Sequence, residues 1–218
     1  MVDLDSGENQ NIILSTRPFN NQAYQVNEVP AKIAEKIYNL IEGAKHPNDD
    51  TILNHNEIKE VFFSPFEPQL KDAQVFLSHS HADKNKALKV KNYLESETNH
   101  RVFIDSLFWD YKNNILKEMK KHHINVSKIE DAFTLILRES LQDMIEKCPY
   151  FVFLQSNNSV SNQGLSRTTY SALKIAHSIR ESRPTPMMES WQVSHNISPF
   201  LESLETITLS KLSHIINS

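Results

Sequence analysis

The sequence predicts an α/β fold built on a parallel sheet. Three short apolar runs carry this prediction, because each is bounded by polar residues and followed by a segment of helical character. The runs are Val75–Leu77, Val102–Ile104 and Tyr150–Leu154. Strand, helix and strand within about thirty residues form a right-handed crossover unit, so the strands are predicted to run parallel.

The segments between the strands are predicted to be helices. The segment after the first strand is charged and helix-prone, and Asp83 is placed to cap it, because a carboxylate accepts from amide groups that have no intrahelical partner. The last part of the chain is less regular, since Pro184 and Pro186 interrupt it. There we expect Met187–Val193 to be an edge strand and Phe200–Ile216 to be one helix or a strand and a helix. The predicted helices are Lys84–Ser96, Tyr111–His122, Ala132–Glu146 and Ser166–Arg180.

Residues 1–70 are predicted to form an amino-terminal extension that packs on a domain spanning residues 71–218. Met1–Gln10 is acidic and polar, so we expect it to be disordered. A helix is expected to follow Pro30, which is tolerated in a first helical turn, and to stop at Gly43. Apolar residues recur between them at helical spacing.

Composition excludes several classes of protein. The formal net charge of the 218 residues is −4, and no basic stripe indicates nucleic acid. The single Cys148 excludes an internal disulfide and a multi-cysteine metal site. The three glycines form no phosphate-binding loop pattern. No apolar run is long enough to span a bilayer and no leader follows Met1, so we expect a cytoplasmic protein without membrane contact.

Ligands of parallel sheets bind at the carboxyl ends of the strands, so the polar residues there are candidates for ligand binding. Ser78, His79 and Ser80 can donate to phosphates of a dinucleotide, or only satisfy the strand end. Asp105 can bind a ribose hydroxyl or cap its loop. Phe108 and Trp109 can stack on a ring, anchor a partner or fill the core. The candidate ligand-binding residues are Ser78, His79, Ser80, Asp105, Phe108, Trp109, Ser156 and Ser159.

These segments resemble the boxes of bacterial Toll/interleukin-1 receptor-like (TIR) domains. VFLSHSHAD, at 75–83, is similar to the first box, where a strand ends in a Ser-His-Ser turn followed by Asp. VFIDSLFW, at 102–109, resembles the second strand and its loop, and Met144–Ser159 resembles the next segment. The resemblance covers roughly residues 73 to 180 and implies a flavodoxin-like three-layer α/β fold.

The resemblance implies two kinds of function. Some TIR domains are scaffolds that assemble through the loop after the second strand, whereas others cleave NAD or cyclise its ADP-ribose, often in antiphage defence. The enzymes place a glutamate early in the helix after the third strand. Here no Asp or Glu occurs between Gln155 and Arg180, and Ser166, Arg167, Thr168 and Thr169 occupy the corresponding positions.

A hydroxyl does not supply the anionic stabilisation of an oxocarbenium-like transition state. The sequence therefore predicts a bacterial signalling or assembly domain that binds a nucleotide-like, NAD-type ligand and associates with itself or with another TIR or effector protein. The alternative is an active NAD glycohydrolase or cyclase with NAD as substrate.

A third interpretation is a metal-dependent hydrolase. His79-x-His81-x-Asp83 reads as most of the HxHxDH zinc motif of metallo-β-lactamase-like hydrolases, and such a turn brings imidazole nitrogens and a carboxylate near one metal. Lys84 stands in place of the last histidine, and the segment after Asp83 is a simple crossover. We therefore expect no metal.

Overall fold

A computed structural model of the protein describes residues 1–17, 29–43, 54–64, 72–121, 126–159 and 204–218. Four strands and seven α-helices lie in these ranges, together with a short 3₁₀ turn at His81–Asp83. In chain order the elements are β1 (Val2–Asp3), α1 (Gly7–Ser15), α2 (Val29–Gly43), α3 (His55–Phe63), β2 (Ala73–Ser78), α4 (Lys84–Glu97), β3 (Arg101–Ile104), α5 (Ser106–Lys120), α6 (Val126–Lys147), β4 (Tyr150–Gln155) and α7 (Leu209–Asn217).

The predicted α/β class with a parallel sheet is confirmed. The four described strands form one sheet in the order β1-β4-β2-β3, and every pairing is parallel. β2, β3 and β4 therefore follow the 2-1-3 strand order of flavodoxin-like sheets. β2 lies between two neighbours, which explains why it is an almost continuous apolar run rather than an alternating one.

Three phenylalanines form a row across the middle of the sheet. Phe76 of β2 is in register with Phe103 of β3 and with Phe151 of β4. The ring centroids lie 5.5 Å and 5.8 Å from that of Phe76, within the range of favourable aromatic pairs. The row favours this register, because a slip by one residue would turn each ring to the opposite face.

A charge pair on α4, formed by the buried Lys91 and the half-buried Glu95, contacts the backbone of β3. Lys91 Nζ donates to the Val102 carbonyl at 2.7 Å and also to Glu95, while the Val102 N–H donates to Glu95 Oε1 at 2.9 Å. Burial lowers the pKa of Lys91, and the carboxylate of Glu95 opposes that shift. Among the described strands, β3 has a sheet neighbour, β2, on one side only. The Lys91–Glu95 pair thus satisfies hydrogen-bonding groups of the backbone of this strand.

The predicted disorder of Met1–Gln10 is wrong. Val2 and Asp3 pair with Leu154 and Gln155 of β4, and Val2 and Leu4 are fully buried. Asn9 of α1 is buried as well. Its side chain donates to the Asp3 carbonyl at 2.7 Å and accepts from the N–H of Leu209, the first residue of α7, at 2.8 Å.

The chain divides into two compact units. The first comprises Met1–Phe19, Asp72–Ser106 and Leu141–Ser218, and contains the sheet. The second comprises Asn20–Lys71 and Leu107–Ser140.

The second unit has an aromatic core. The Phe62 ring packs against Phe63, Tyr111 and Phe133 at centroid distances of 5.0 to 5.2 Å. Burial in this cluster raises the pKa of Tyr111 well above its ordinary value.

Several predicted helix limits change. The helix from Pro30 to Gly43 is confirmed as α2, with Pro30 in its first turn. α5 begins at Ser106 rather than Tyr111, and α6 begins at Val126 rather than Ala132, so both helices start at least five residues earlier than predicted. The predictions for Ser166–Arg180 and Met187–Val193 lie outside the described residues. The described helices include none with the length and apolar character needed to cross a membrane.

Replacing Glu95 by alanine tests the charge pair on α4. The change leaves the buried Lys91 without its carboxylate and the Val102 N–H without its acceptor, so we expect a loss of about 1–3 kcal/mol in the free energy of unfolding. Urea denaturation measures it. Glu97→Ala, an exposed change at the end of the same helix, is the control and should stay within about 0.5 kcal/mol of wild type. Equal effects of the two variants would contradict the assignment.

Candidate functional site

The carboxyl ends of the three strands β2, β3 and β4 carry most of the predicted site residues, all in the first unit. Every predicted site side chain there is buried, with at most 6% of its residue surface exposed. The cluster, which we call the strand-end site, consists of Ser78, His79 and Ser80 after β2, Asp105 and Ser106 after β3, and Ser156 and Ser159 after β4. Burying a polar group costs free energy unless it is hydrogen-bonded, whereas burying an apolar side chain does not. Such a concentration of buried polar groups is therefore unusual.

His79 and Asp105 form the centre of this site. His79 Nδ1 lies 3.2 Å from Asp105 Oδ1, and both side chains are almost fully inaccessible to solvent. Each residue directly follows its strand, and β2 and β3 are neighbours, so the parallel register itself places the two side chains together. The contact joins the ends of two strands.

A serine adjoins each member of this pair in the sequence. Ser78 Oγ, at the end of β2, and Ser106 Oγ, at the start of α5, are buried and make no hydrogen bond within the described part of the chain. A buried hydroxyl without a partner costs about 1–3 kcal/mol. Ser106 was not among the predicted site residues, although its position directly after Asp105 at the end of β3 could have identified it.

Asp83 has a role different from the predicted one. It occupies the position before α4, but its side chain makes no capping hydrogen bond. The carboxylate instead accepts a hydrogen bond from Ser156 Oγ and another, at 2.9 Å, from Asn158 Nδ2. Asp83 is buried. It therefore connects the turn after β2 to the loop after β4.

The loop after β4 is a compact turn held by its own serines. Ser159 Oγ accepts from the Ser156 N–H at 2.7 Å and donates to the Ser156 carbonyl at 2.9 Å. Ser156 Oγ in turn accepts from the N–H groups of Asn158 and Ser159. The hydroxyls of Ser156 and Ser159 thus shape the loop, and their predicted contact with a ligand stays a prediction.

Asp5, which follows β1, adds a second anchor for the same loop. One carboxylate oxygen accepts from Lys86 Nζ and the other from the Asn157 N–H, both at 2.9 Å. These two hydrogen bonds lower the pKa of Asp5. Asp5 was not a predicted site residue, because it lies in the segment expected to be disordered.

Phe108 and Trp109 belong to the first turns of α5, and their side chains lie outside what the structure describes. Their expected stacking and partner contacts therefore stay predictions.

The metal interpretation receives no support from the described geometry. His79 lies beside Asp105, His81 is exposed, and Asp83 is bonded to the β4 loop. Within the described ranges, no group of three or more His, Cys, Asp or Glu side chains is placed to hold a metal ion.

Comparison of the chain with models of protein families, with curated proteins and with solved structures finds no match.

Replacing Asp83 by alanine tests the bridge to the β4 loop. We expect the free energy of unfolding to fall by about 2–4 kcal/mol, because two hydrogen bonds to a buried carboxylate are lost. Hydrogen exchange at the amides of residues 155–159 should accelerate more than exchange within β2. Asp131→Ala, an exposed change on α6, is the control. Unchanged exchange in the β4 loop of the Asp83→Ala variant would show that the bridge does not hold it.

Proposed function

We propose that this chain is a signalling or assembly domain of the TIR type that binds a nucleotide-like ligand, NAD or a derivative of it, at the strand-end site. The observation that carries the proposal is the pair of buried hydroxyls, Ser78 Oγ and Ser106 Oγ, that lack protein partners in the described chain. Buried polar groups in native proteins are nearly always satisfied. A ligand with hydrogen-bonding groups at this position would satisfy both.

The chemistry of the site suits a phosphate and ribose ligand. Hydroxyls donate to phosphate oxygens, and a carboxylate accepts from ribose hydroxyls. Asp105 has a second oxygen besides the one facing His79 Nδ1. The position of the site also agrees with the rule that open α/β sheets bind ligands beyond the carboxyl ends of their strands.

Binding is favoured over cleavage by the distribution of acidic residues. The segment between Gln155 and Arg180 contains no Asp or Glu. Of the acidic residues around the strand ends, Asp83 and Asp5 are bonded to the β4 loop and Asp105 lies against His79. Asp83 and Asp5 are thus occupied in holding the β4 loop, and no glutamate stands where the TIR enzymes place theirs. Signalling through self-association or through another TIR or effector protein, in bacterial antiphage defence, is the role we propose for the bound state.

Titration with NAD and with ADP-ribose by calorimetry tests the proposal. We expect Ser78→Ala and Ser106→Ala each to weaken binding roughly two- to tenfold, since one hydrogen bond contributes about 0.5–1.5 kcal/mol. The same changes should leave the stability of the ligand-free protein unchanged or raised, because each removes an unsatisfied hydroxyl. If the two serines acted only in stability, the variants would be less stable than the wild-type protein and would bind both ligands equally well.

Ser140→Ala is the matched control, because Ser140 is another buried serine whose hydroxyl has no partner in the described chain, but it lies on α6. It should leave binding unchanged. No binding by the wild-type protein at millimolar ligand would refute the proposal. Release of nicotinamide from NAD, followed by proton NMR, would refute the assignment to binding and make the chain an enzyme.

A further inference from the structure

A separate groove lies between α1 and α4 of the first unit. It has a volume of about 370 Å³ and is lined mainly by apolar side-chain surface from Leu4, Ile13 and Leu14. Lys86 and Lys89 of α4 stand at its rim. The volume lies within the range of small-molecule pockets in proteins. We call this feature the α1–α4 groove. It shares no lining residue with the strand-end site.

The apolar lining is partly open to solvent. Leu4 and Ile13 are buried, whereas 75% of the Leu14 surface is exposed. Large apolar side chains that are scattered singly on a surface need no explanation, but Leu14 adjoins a concave apolar surface. An apolar ligand in the groove would cover it.

The two lysines at the rim differ in their partners. Lys86 Nζ pairs with Asp5 Oδ1 at 2.9 Å, so its charge is neutralised locally. Lys89 Nζ donates to the Ile13 carbonyl at 3.1 Å, in the last turn of α1. No carboxylate of the described chain forms an ion pair with Lys89. An ammonium group has three donors, so Lys89 retains capacity for an anion.

We propose that the α1–α4 groove binds a single-chain anionic amphiphile, an alkyl carboxylate of the fatty-acid class. The alkyl chain lies on Ile13 and Leu14, and the carboxylate pairs with Lys89. A stable protein interface buries roughly 800 Å², or about 20 residues, on each partner. Seven residues line this groove, so a small ligand fits it better than a protein helix. The proposal is independent of the function proposed for the strand-end site.

Titration of the full chain with decanoate, below its micelle concentration, tests the proposal by amide chemical shifts. We expect saturable shifts along α1 and α4. Decanol has the same chain without the charge, and acetate has the charge without the chain. Acetate should not bind, and decanol should bind more weakly than decanoate by roughly two- to fivefold, the contribution of a partly exposed ion pair.

Two variants separate the contribution of the Lys89 charge to binding from that of the apolar surface. Lys89→Gln should remove the preference for decanoate over decanol, and Leu14→Gln should weaken binding of both compounds. Lys120→Gln and Leu135→Gln, exposed changes on α5 and α6, are the matched controls. The proposal fails if decanoate produces no saturable shifts along α1 and α4. It also fails if Lys89→Gln leaves the preference intact, or if the controls alter binding as much as the groove variants.

Discussion

A buried carboxylate must be hydrogen-bonded, and the way in which Asp83 meets this requirement determines the shape of the strand-end site. Asp83 lies at the start of α4, and both of its oxygens accept from the loop after β4. The loop is therefore tied to the turn after β2 as well as to its own strand. The His79–Asp105 contact does the same for β2 and β3. These two buried contacts join the ends of three neighbouring strands.

Strands and helices could be predicted from the sequence, because they depend on residues that are close together in the chain. Apolar runs became β2, β3 and β4, and Pro30 and Gly43 marked a helix correctly. The role of Asp83 could not be read in this way. A capping rule considers only the adjacent helix, whereas the partners of Asp83 lie more than seventy residues away. The burial of Val2 and Leu4 was missed for the same reason. It depends on pairing with β4, which cannot be predicted from a short polar segment.

The candidate site was predictable in position but not in detail. The rule that the ends of parallel strands meet at one edge placed His79 beside Asp105, and the structure has these two side chains in contact. Which hydroxyls would be engaged and which left without partners depends on the exact backbone path. Ser156 and Ser159 are used within their own turn, while Ser78 and Ser106 are not. Only the three-dimensional arrangement separates these two groups of serines.

The central claim is that the strand-end site binds a nucleotide-like ligand, and a titration of isotope-labelled protein with ADP-ribose tests it most directly. The amide chemical shifts report the position of the ligand residue by residue. Our account predicts saturable shifts concentrated at residues 78–80, 105–106 and 156–159. Shifts that are absent, or that concentrate along α2 and α3, would contradict it.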